Sequence, residues 1–289
     1  LKLRDNGPVF LGSEAPTTWE QAQVAVLPVP LEQTTTFIRG TRLGPDELLK
    51  ASVQFEVFDD ELKKETAKRC GIATLPPMNF DGYSPESAAI AIESAAAKLI
   101  ASKKKPVFIG GEHSVSIGVV RAMARAYPGL TVLHIDAHAD LRPSYEGSEY
   151  NHACVMARVE EVARFVSVGV RSMESEEYRR IVDERLNVFD MHFMRQHRDW
   201  QARILDQLRG PVYITLDLDA LDPSEMPSVG TPEPGGMRWS ETTAFLRRVF
   251  TEHRVVGLDL VELCPPAGPA YGVLAAAKLL YRLIGYWTE

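Results

Sequence analysis

Residues 130–140 read LTVLHIDAHAD. The first half is an apolar, β-branched run of the kind that forms a buried strand. The second half crowds His134, Asp136, His138 and Asp140 into seven residues. A buried carboxylate is costly unless it is paired or bound to a metal. The stretch therefore reads as a strand that delivers metal ligands into a cleft.

Seven further runs have the same character: VAVLPV (24–29), GIATL (71–75), PVFIG (106–110), FVSVGV (165–170), LNVFD (186–190), PVYITL (211–216) and RVVGLDL (254–260). Most are nearly continuous in Val, Ile and Leu, as expected of strands covered on both faces. Between them lie 85–103, 116–127, 175–186 and 241–250, with apolar residues at helical spacing. Alternating strands and helices predict an α/β fold, a parallel sheet with helices on both faces. No linker, repeat or composition break interrupts the pattern, so residues 1–289 read as one domain.

Such sheets bind ligands at the carboxyl ends of their strands. Three ends are polar in the same way: EHS (112–114), DAHAD (136–140) and DLDALD (217–222). In extended chain, alternate side chains share a side. Asp136, His138 and Asp140 then point together, as do Asp217 and Asp219, and His113 joins them from a third strand. His134 is out of phase and reads as a core histidine or one standing behind the ligands. A lone DxH or DxD is usually a loop or a cap; three of them at three strand ends of one sheet are not explained that way. Two imidazoles and four carboxylates exceed the four ligands of a tetrahedral zinc. They suit two divalent ions with octahedral preference, manganese over zinc. Paired ions lower the pKa of bound water toward neutrality.

The bulk numbers fit an ordinary globular chain of 289 residues, 45% hydrophobic and 25% charged. A net charge of −7 argues against nucleic acid and suits a cationic ligand, although solubility alone also accounts for it. Cys70, Cys154 and Cys264 are few and scattered, which favours a reducing, cytoplasmic setting over a disulfide framework. The opening LKLRDNGPVFLG lacks the pattern of a signal peptide. The apolar stretch 271–287 is broken by Lys278 and Arg282, so a packed helix is expected there and no membrane span. Cys154 has no basic neighbour in sequence and reads as a packed residue, not a nucleophile. GTRLGP (40–45) is Gly-rich but is no phosphate loop. Arg39 and Arg42 beside it read equally as structural residues or as a subunit contact.

GGEHSVSIG (110–118), HIDAHADL (134–141), YITLDLDALDPSEMPSVGTPEPGG (213–236) and GLDLVELCPP (257–266) resemble the signatures of the ureohydrolase family, which contains arginase and agmatinase. The resemblance spans about residues 22–289. It implies the three-layer α/β/α arginase-like fold with an eight-stranded parallel sheet. It also implies two Mn²⁺ ions, one held by His113, Asp136, Asp140 and Asp217, the other by Asp136, His138, Asp217 and Asp219. Glu112 stands where many relatives have Asp, a position that is not a ligand in the family.

Family members hydrolyse a guanidinium group to urea and an amine. Guanidinium is delocalised and arrives as a cation, since its pKa lies above about 12. By the resemblance, Glu262 grips this cation and Thr231 orients Glu262. Asp140 receives a proton during the reaction, and His152 acts as proton shuttle, a task that suits an imidazole. Without the resemblance, His152 reads equally well as a surface histidine at a helix start.

The loop SVGVRSMESEE (167–177) has Ser172 and Glu174 where arginase carries aspartates. LRPSYEGSEYN (141–151) resembles the corresponding agmatinase string, with Asn151 in place of a common Ser. The expected substrate is agmatine, a small cationic guanidine, drawn by an acidic rim that includes Glu146, Glu149 or Glu174. Arginase or guanidinobutyrate hydrolase activity is the alternative. A deacetylase of the same fold is more remote, because it uses one zinc and needs no DLD pair. A non-catalytic subunit is disfavoured by the intact ligand set. The family resemblance also implies a homotrimer or homohexamer.

Overall fold

The computed structural model describes residues 7–14 and 17–289. The first six residues of the opening stretch considered above, and of the 1–289 domain reading, lie outside the described residues, as do residues 15 and 16. Eight strands form one sheet: β1 Val24–Val29, β2 Ile72–Thr74, β3 Lys105–Gly110, β4 Thr131–Ile135, β5 Arg164–Val170, β6 Val188–Asp190, β7 Val212–Asp217 and β8 Val255–Val261. They correspond one for one to the eight runs read from the sequence. Their spatial order is β2-β1-β3-β8-β7-β4-β5-β6, and every pairing is parallel.

The alternation of side chains makes three layers. Val24, Val26, Val107, Ile109, Leu133, Ile135, Ile214, Leu216, Leu258 and Leu260 face one core. Ala25, Leu27, Val29, Phe108, Val132, Tyr213 and Val261 face the other. Period two divides each strand between both cores, which is why the runs look continuously apolar in sequence. Helices α1 Gly44–Ala51, α6 Trp239–Glu252 and α7 Ala270–Trp287 cover the first face. Helices α2 Pro85–Ala101, α3 Val115–Ala126 and α4 Val155–Glu160 cover the second, flanked by α5 Ser175–Asp183. The remaining helices are short.

Helix α7 is the apolar terminal stretch of the sequence, and it packs. Arg282, buried within it, pairs with Asp59 at 3.0 Å and Asp60 at 2.6 Å. Both acids belong to a two-stranded antiparallel hairpin and its turn, Phe58–Asp59 with Lys64–Glu65, that the hydrophobic pattern did not signal. Among the described residues no helix is long and apolar enough to cross a membrane.

The strand order matters most at its centre. β3, β8, β7 and β4 are consecutive neighbours; β3, β4 and β7 lead into the three polar segments singled out in the sequence, and β8 leads into Glu262. The chain connects β3, β4, β7 and β8 from opposite sides of this group, the arrangement that opens a crevice at the carboxyl edge of a parallel sheet.

Candidate active site

His113 follows β3 in the turn Gly110–Ser114 that leads into α3. The turn lies against the segment after β1: Gly111 N–H donates to Val29 O at 2.9 Å and Glu112 N–H to Leu31 O at 2.9 Å. A Cβ on Gly111 would stand 2.1 Å from Leu31 O, so only glycine allows this approach. His113 is buried. Its Nε2 lies 2.9 Å from Thr215 Oγ1, and Thr215 donates its own proton to Asp259 Oδ1 at 2.7 Å. Nε2 must therefore be the donor, which leaves the Nδ1 lone pair free. That lone pair faces Asp136 Oδ2 at 3.0 Å, Asp140 Oδ2 at 3.2 Å and Asp217 Oδ2 at 3.4 Å. Yet Nδ1 is buried without a hydrogen bond. A buried orphan nitrogen ringed by three carboxylate oxygens is the donor set of a divalent cation.

Strand β4 stops at Ile135, so extended geometry does not carry through to Asp140 as the alternation argument required. The side chains converge by another route. Asp140 adopts φ 52°, in the left-handed region. Its carbonyl accepts from Met156 N at 2.9 Å and Ala157 N at 3.2 Å, tying the loop to the start of α4. His134 stands behind the cluster, bonded to Asp136 Oδ2 at 2.8 Å and Ser167 Oγ at 2.9 Å. His138 Nδ1 faces Asp219 Oδ2 at 3.0 Å and Asp136 Oδ1 at 3.5 Å. Its side chain is 27% exposed, against 1% for Asp136 and Asp219, and so opens the group to the cleft.

Two side-chain groups thus share Asp136: one with His113, His134 and Asp140, the other with His138 and Asp219. Asp217 stands near the first through His113 and bonds to the second, its Oδ1 accepting Asp219 N–H at 2.8 Å. Packing these anions together has the expected electrostatic cost. Burial, reinforced by the charges of Asp219 and Asp136, pushes the Asp217 carboxyl well above the usual carboxylate range. Burial opposes charge on His113 and His138, but the carboxylates around both imidazoles outweigh it and raise their pKa values.

Glu262 follows β8, also in the left-handed region at φ 63°. Two non-glycine residues held this way in one site indicate strain retained by surrounding structure. Glu262 N–H donates to Gly111 O at 2.8 Å, and Glu262 Oε1 accepts His113 N–H at 2.7 Å. Burial and the Glu112 charge push its carboxyl well up. Thr231 departs from expectation. Its hydroxyl donates to Asp219 Oδ2 at 3.1 Å, so the side chain it orients is Asp219, while His113 N–H holds Glu262.

His152 caps the cleft from the loop before α4. With Thr36, His138, Asp140, Tyr145 and Thr231 it lines a hollow of about 260 Å³, to whose wall Glu174 and Glu177 also contribute. Of the rim acids, Glu174 pairs with Arg142 at 3.0 Å and Glu149 with Arg158 at 3.0 Å, leaving Glu146 exposed on the turn. Only Glu174 of the three lines the hollow. A larger cleft of about 980 Å³ opens at the opposite edge of the sheet, beside the starts of β4 and β5, and holds none of these residues. Cys154 is packed: burial, then the Asp140 charge, pushes its thiol up to about 11, which removes it as a nucleophile.

With this geometry in view, relatives are informative. A sequence profile of the arginase family matches residues 22–285. The chain belongs to the arginase family. It is 40% identical to N(1)-aminopropylagmatine ureohydrolase of Synechocystis sp. over 97% of this chain and 94% of that one. It is 32% identical to agmatinase of Halalkalibacterium halodurans over 98% of both. The crystal structure of agmatine ureohydrolase of Thermoplasma volcanium superposes with a TM-score of 0.86 at 30% identity, covering 95% of this chain and 93% of that one. The fold is therefore arginase-like, and the protein is a ureohydrolase, a hydrolase of guanidino compounds.

The candidate site contains residues that sequence reasoning passed over. Asp259 is fully buried in β8 and accepts from Ser116, Tyr213 and Thr215 at 2.6–2.8 Å. A lone acid inside the apolar run VVGLDLV was the available signal. Glu112 was set aside as a non-ligand, yet it is wholly buried and ties Gln33 and Thr34 to the turn that bears His113.

Proposed function

We propose that this ureohydrolase binds two Mn²⁺ ions and hydrolyses an amine-tailed guanidine that lacks the amino-acid head of arginine. His113, Asp136, Asp140 and Asp217 would hold one ion, and Asp136, His138, Asp217 and Asp219 the other. The orphaned Nδ1 of His113 among three carboxylates is the observation that supports this reading most directly. When bound, the ions supply activated water at neutral pH.

The chain's own groups account for the rest. Glu262 meets the guanidinium, for which a carboxylate is the natural partner through paired hydrogen bonds. The leaving amine must acquire a proton. His152, on the wall of the hollow with Asp140, supplies it. Thr231 acts on Asp219 and so on the ligand set. The hollow continues to Glu174 and Glu177, which offers negative charge to a cationic tail.

N(1)-aminopropylagmatine is the favoured substrate, because relatives named for it are 40% identical. Agmatine is the second reading, supported by agmatinases at 32%. A manganese-loaded sample should release urea from both, with the larger kcat/KM for the aminopropyl compound, and poorly from arginine. Preference for agmatine would reverse the order of the two readings. Preference for arginine would discard both. Replacing His152 with Asn should lower kcat by about 10²-fold, the scale of one general acid–base group.

A further inference from the structure

Glu112 is a buried carboxylate with no salt-bridge partner among the described residues, and its tie to Gln33 and Thr34 has a consequence for the cleft. Its Oε2 accepts backbone N–H groups from Gln33 at 2.6 Å and Thr34 at 2.7 Å. Its Oε1 accepts the hydroxyls of Thr34 at 2.8 Å and Ser114 at 2.5 Å. Four donors occupy its two oxygens, so Glu112 acts only as an acceptor. The direction of the Thr34 hydroxyl is thereby set: its proton goes to Glu112.

Thr34 Oγ1 also touches His152 twice. It accepts His152 N–H at 3.0 Å and lies 3.2 Å from His152 Nδ1. With its proton committed to Glu112, Thr34 offers Nδ1 only lone pairs. Nδ1 must then be the protonated nitrogen of the neutral ring, and Nε2 the basic one. Tyr145 packs edge-on against the ring, centroids 6.2 Å apart at 85°, which keeps it in this plane.

We propose that Glu112, acting through Thr34, is a positioning residue that places the hydrogen of His152 on Nδ1 and reserves Nε2 for proton exchange in the cleft. The consequence for turnover rests on the reading of His152 as the proton-transfer group. The tautomer itself does not.

The isosteric variant Glu112→Gln gives a sharp test. Two backbone N–H groups converge on the Oε2 position, so the amide oxygen settles there and the NH₂ faces Thr34 and Ser114. Thr34 then accepts from the introduced amide and turns its own proton toward Nδ1, which inverts the tautomer.

Long-range ¹H–¹⁵N spectra of ¹⁵N-histidine-labelled, metal-free protein, recorded at alkaline pH, read the ring directly; His152→Asn identifies its signals. The wild type should show Nδ1–H, and Glu112→Gln should show Nε2–H. In the manganese-loaded enzyme the same variant should lose roughly 10²-fold in kcat with KM within about twofold. Nε2–H in the wild type, or one tautomer shared by both proteins, overturns the proposal. If Glu112→Gln does not fold, Thr34→Val and Thr34→Ser decide: Val should lose the Nδ1–H preference and Ser should keep it, whereas no difference between them overturns it. A wild type that releases no urea from any guanidine defeats the functional reading and leaves the tautomer measurement intact.

Discussion

Asp259 controls the ring of His113 through one hydroxyl. Thr215 donates to Asp259 at 2.7 Å and lies 2.9 Å from His113 Nε2, so the carboxylate dictates which imidazole nitrogen keeps its hydrogen. Partners of this kind behind a metal-binding histidine typically govern 10–100-fold in metal affinity. Thr215→Val should weaken Mn²⁺ binding by about that factor, and Thr215→Ser should restore it. Titration followed by the EPR signal of free Mn²⁺ measures the change. Unaltered affinity in Thr215→Val would show that His113 orients without this relay.

Metal binding should release protons. In the metal-free site the pKa values of His113 and His138 are raised by neighbouring carboxylates against the pull of burial, and that of Asp217 is raised by burial and by Asp219 and Asp136. Groups with raised values hold their protons to higher pH than usual, and a metal needs the same lone pairs. The sign follows: lowering the pH strengthens the competitor, so apparent affinity for Mn²⁺ should rise with pH across the neutral range. Calorimetric titrations in phosphate and in Tris should give different binding enthalpies, because the two buffers take up the protons at different enthalpic cost. Equal enthalpies would mean no net release.

The eight strands were legible because each is covered on both faces, and a doubly buried strand announces itself as an apolar run. Six candidate ligands were legible because polar residues directly after such runs have few structural uses. The route by which they meet was not. Asp140 and Glu262 reach the site through left-handed backbone, a conformation that no local preference of Asp or Glu specifies and that the packed surroundings impose. Thr231 shows a second kind of limit. The resemblance assigned it to Glu262, but which acid it holds depends on how the loop after β7 folds back toward the sheet, and that acid is Asp219. The hairpin at 58–65 was silent for a simpler reason, since strands of two residues are too short to display a period.

Glu174 should distinguish tailed from untailed guanidines. It lines the hollow together with His138 and Asp140 and is half exposed, at 51%, while paired with Arg142. A cationic substrate tail competes for that carboxylate with the arginine, so the net gain is that of an exposed ion pair, up to about 1 kcal/mol. Glu174→Gln should therefore raise KM for the aminopropyl compound about fivefold and leave KM for a guanidine with an uncharged tail unchanged. Equal effects on both would place the contribution of Glu174 in loop structure, not in tail recognition.

Asp222 should make the loop that carries Thr231 sensitive to acid. Its Oδ1 accepts from Ser224 N at 3.0 Å and Ser224 Oγ at 2.6 Å, and its Oδ2 from Gly235 N at 2.8 Å and Gly236 N at 3.1 Å. One carboxylate thus pins both ends of the segment 222–236. These donors, the Ser224 hydroxyl foremost, lower its pKa to about 2, against an ordinary value of about 3.9. A depressed carboxylate stabilises the fold above its unfolded-state value and loses that contribution as pH falls through its folded-state value. The stability difference between the wild type and Asp222→Ala, measured by urea unfolding, should be constant from pH 7 to about 5 and shrink between about 4 and 2. Because Thr231 bonds to Asp219 from within this loop, the variant should also bind Mn²⁺ more weakly at neutral pH. A stability difference that does not change down to pH 2 would show that the turn is held by its glycines and prolines, without help from the charge.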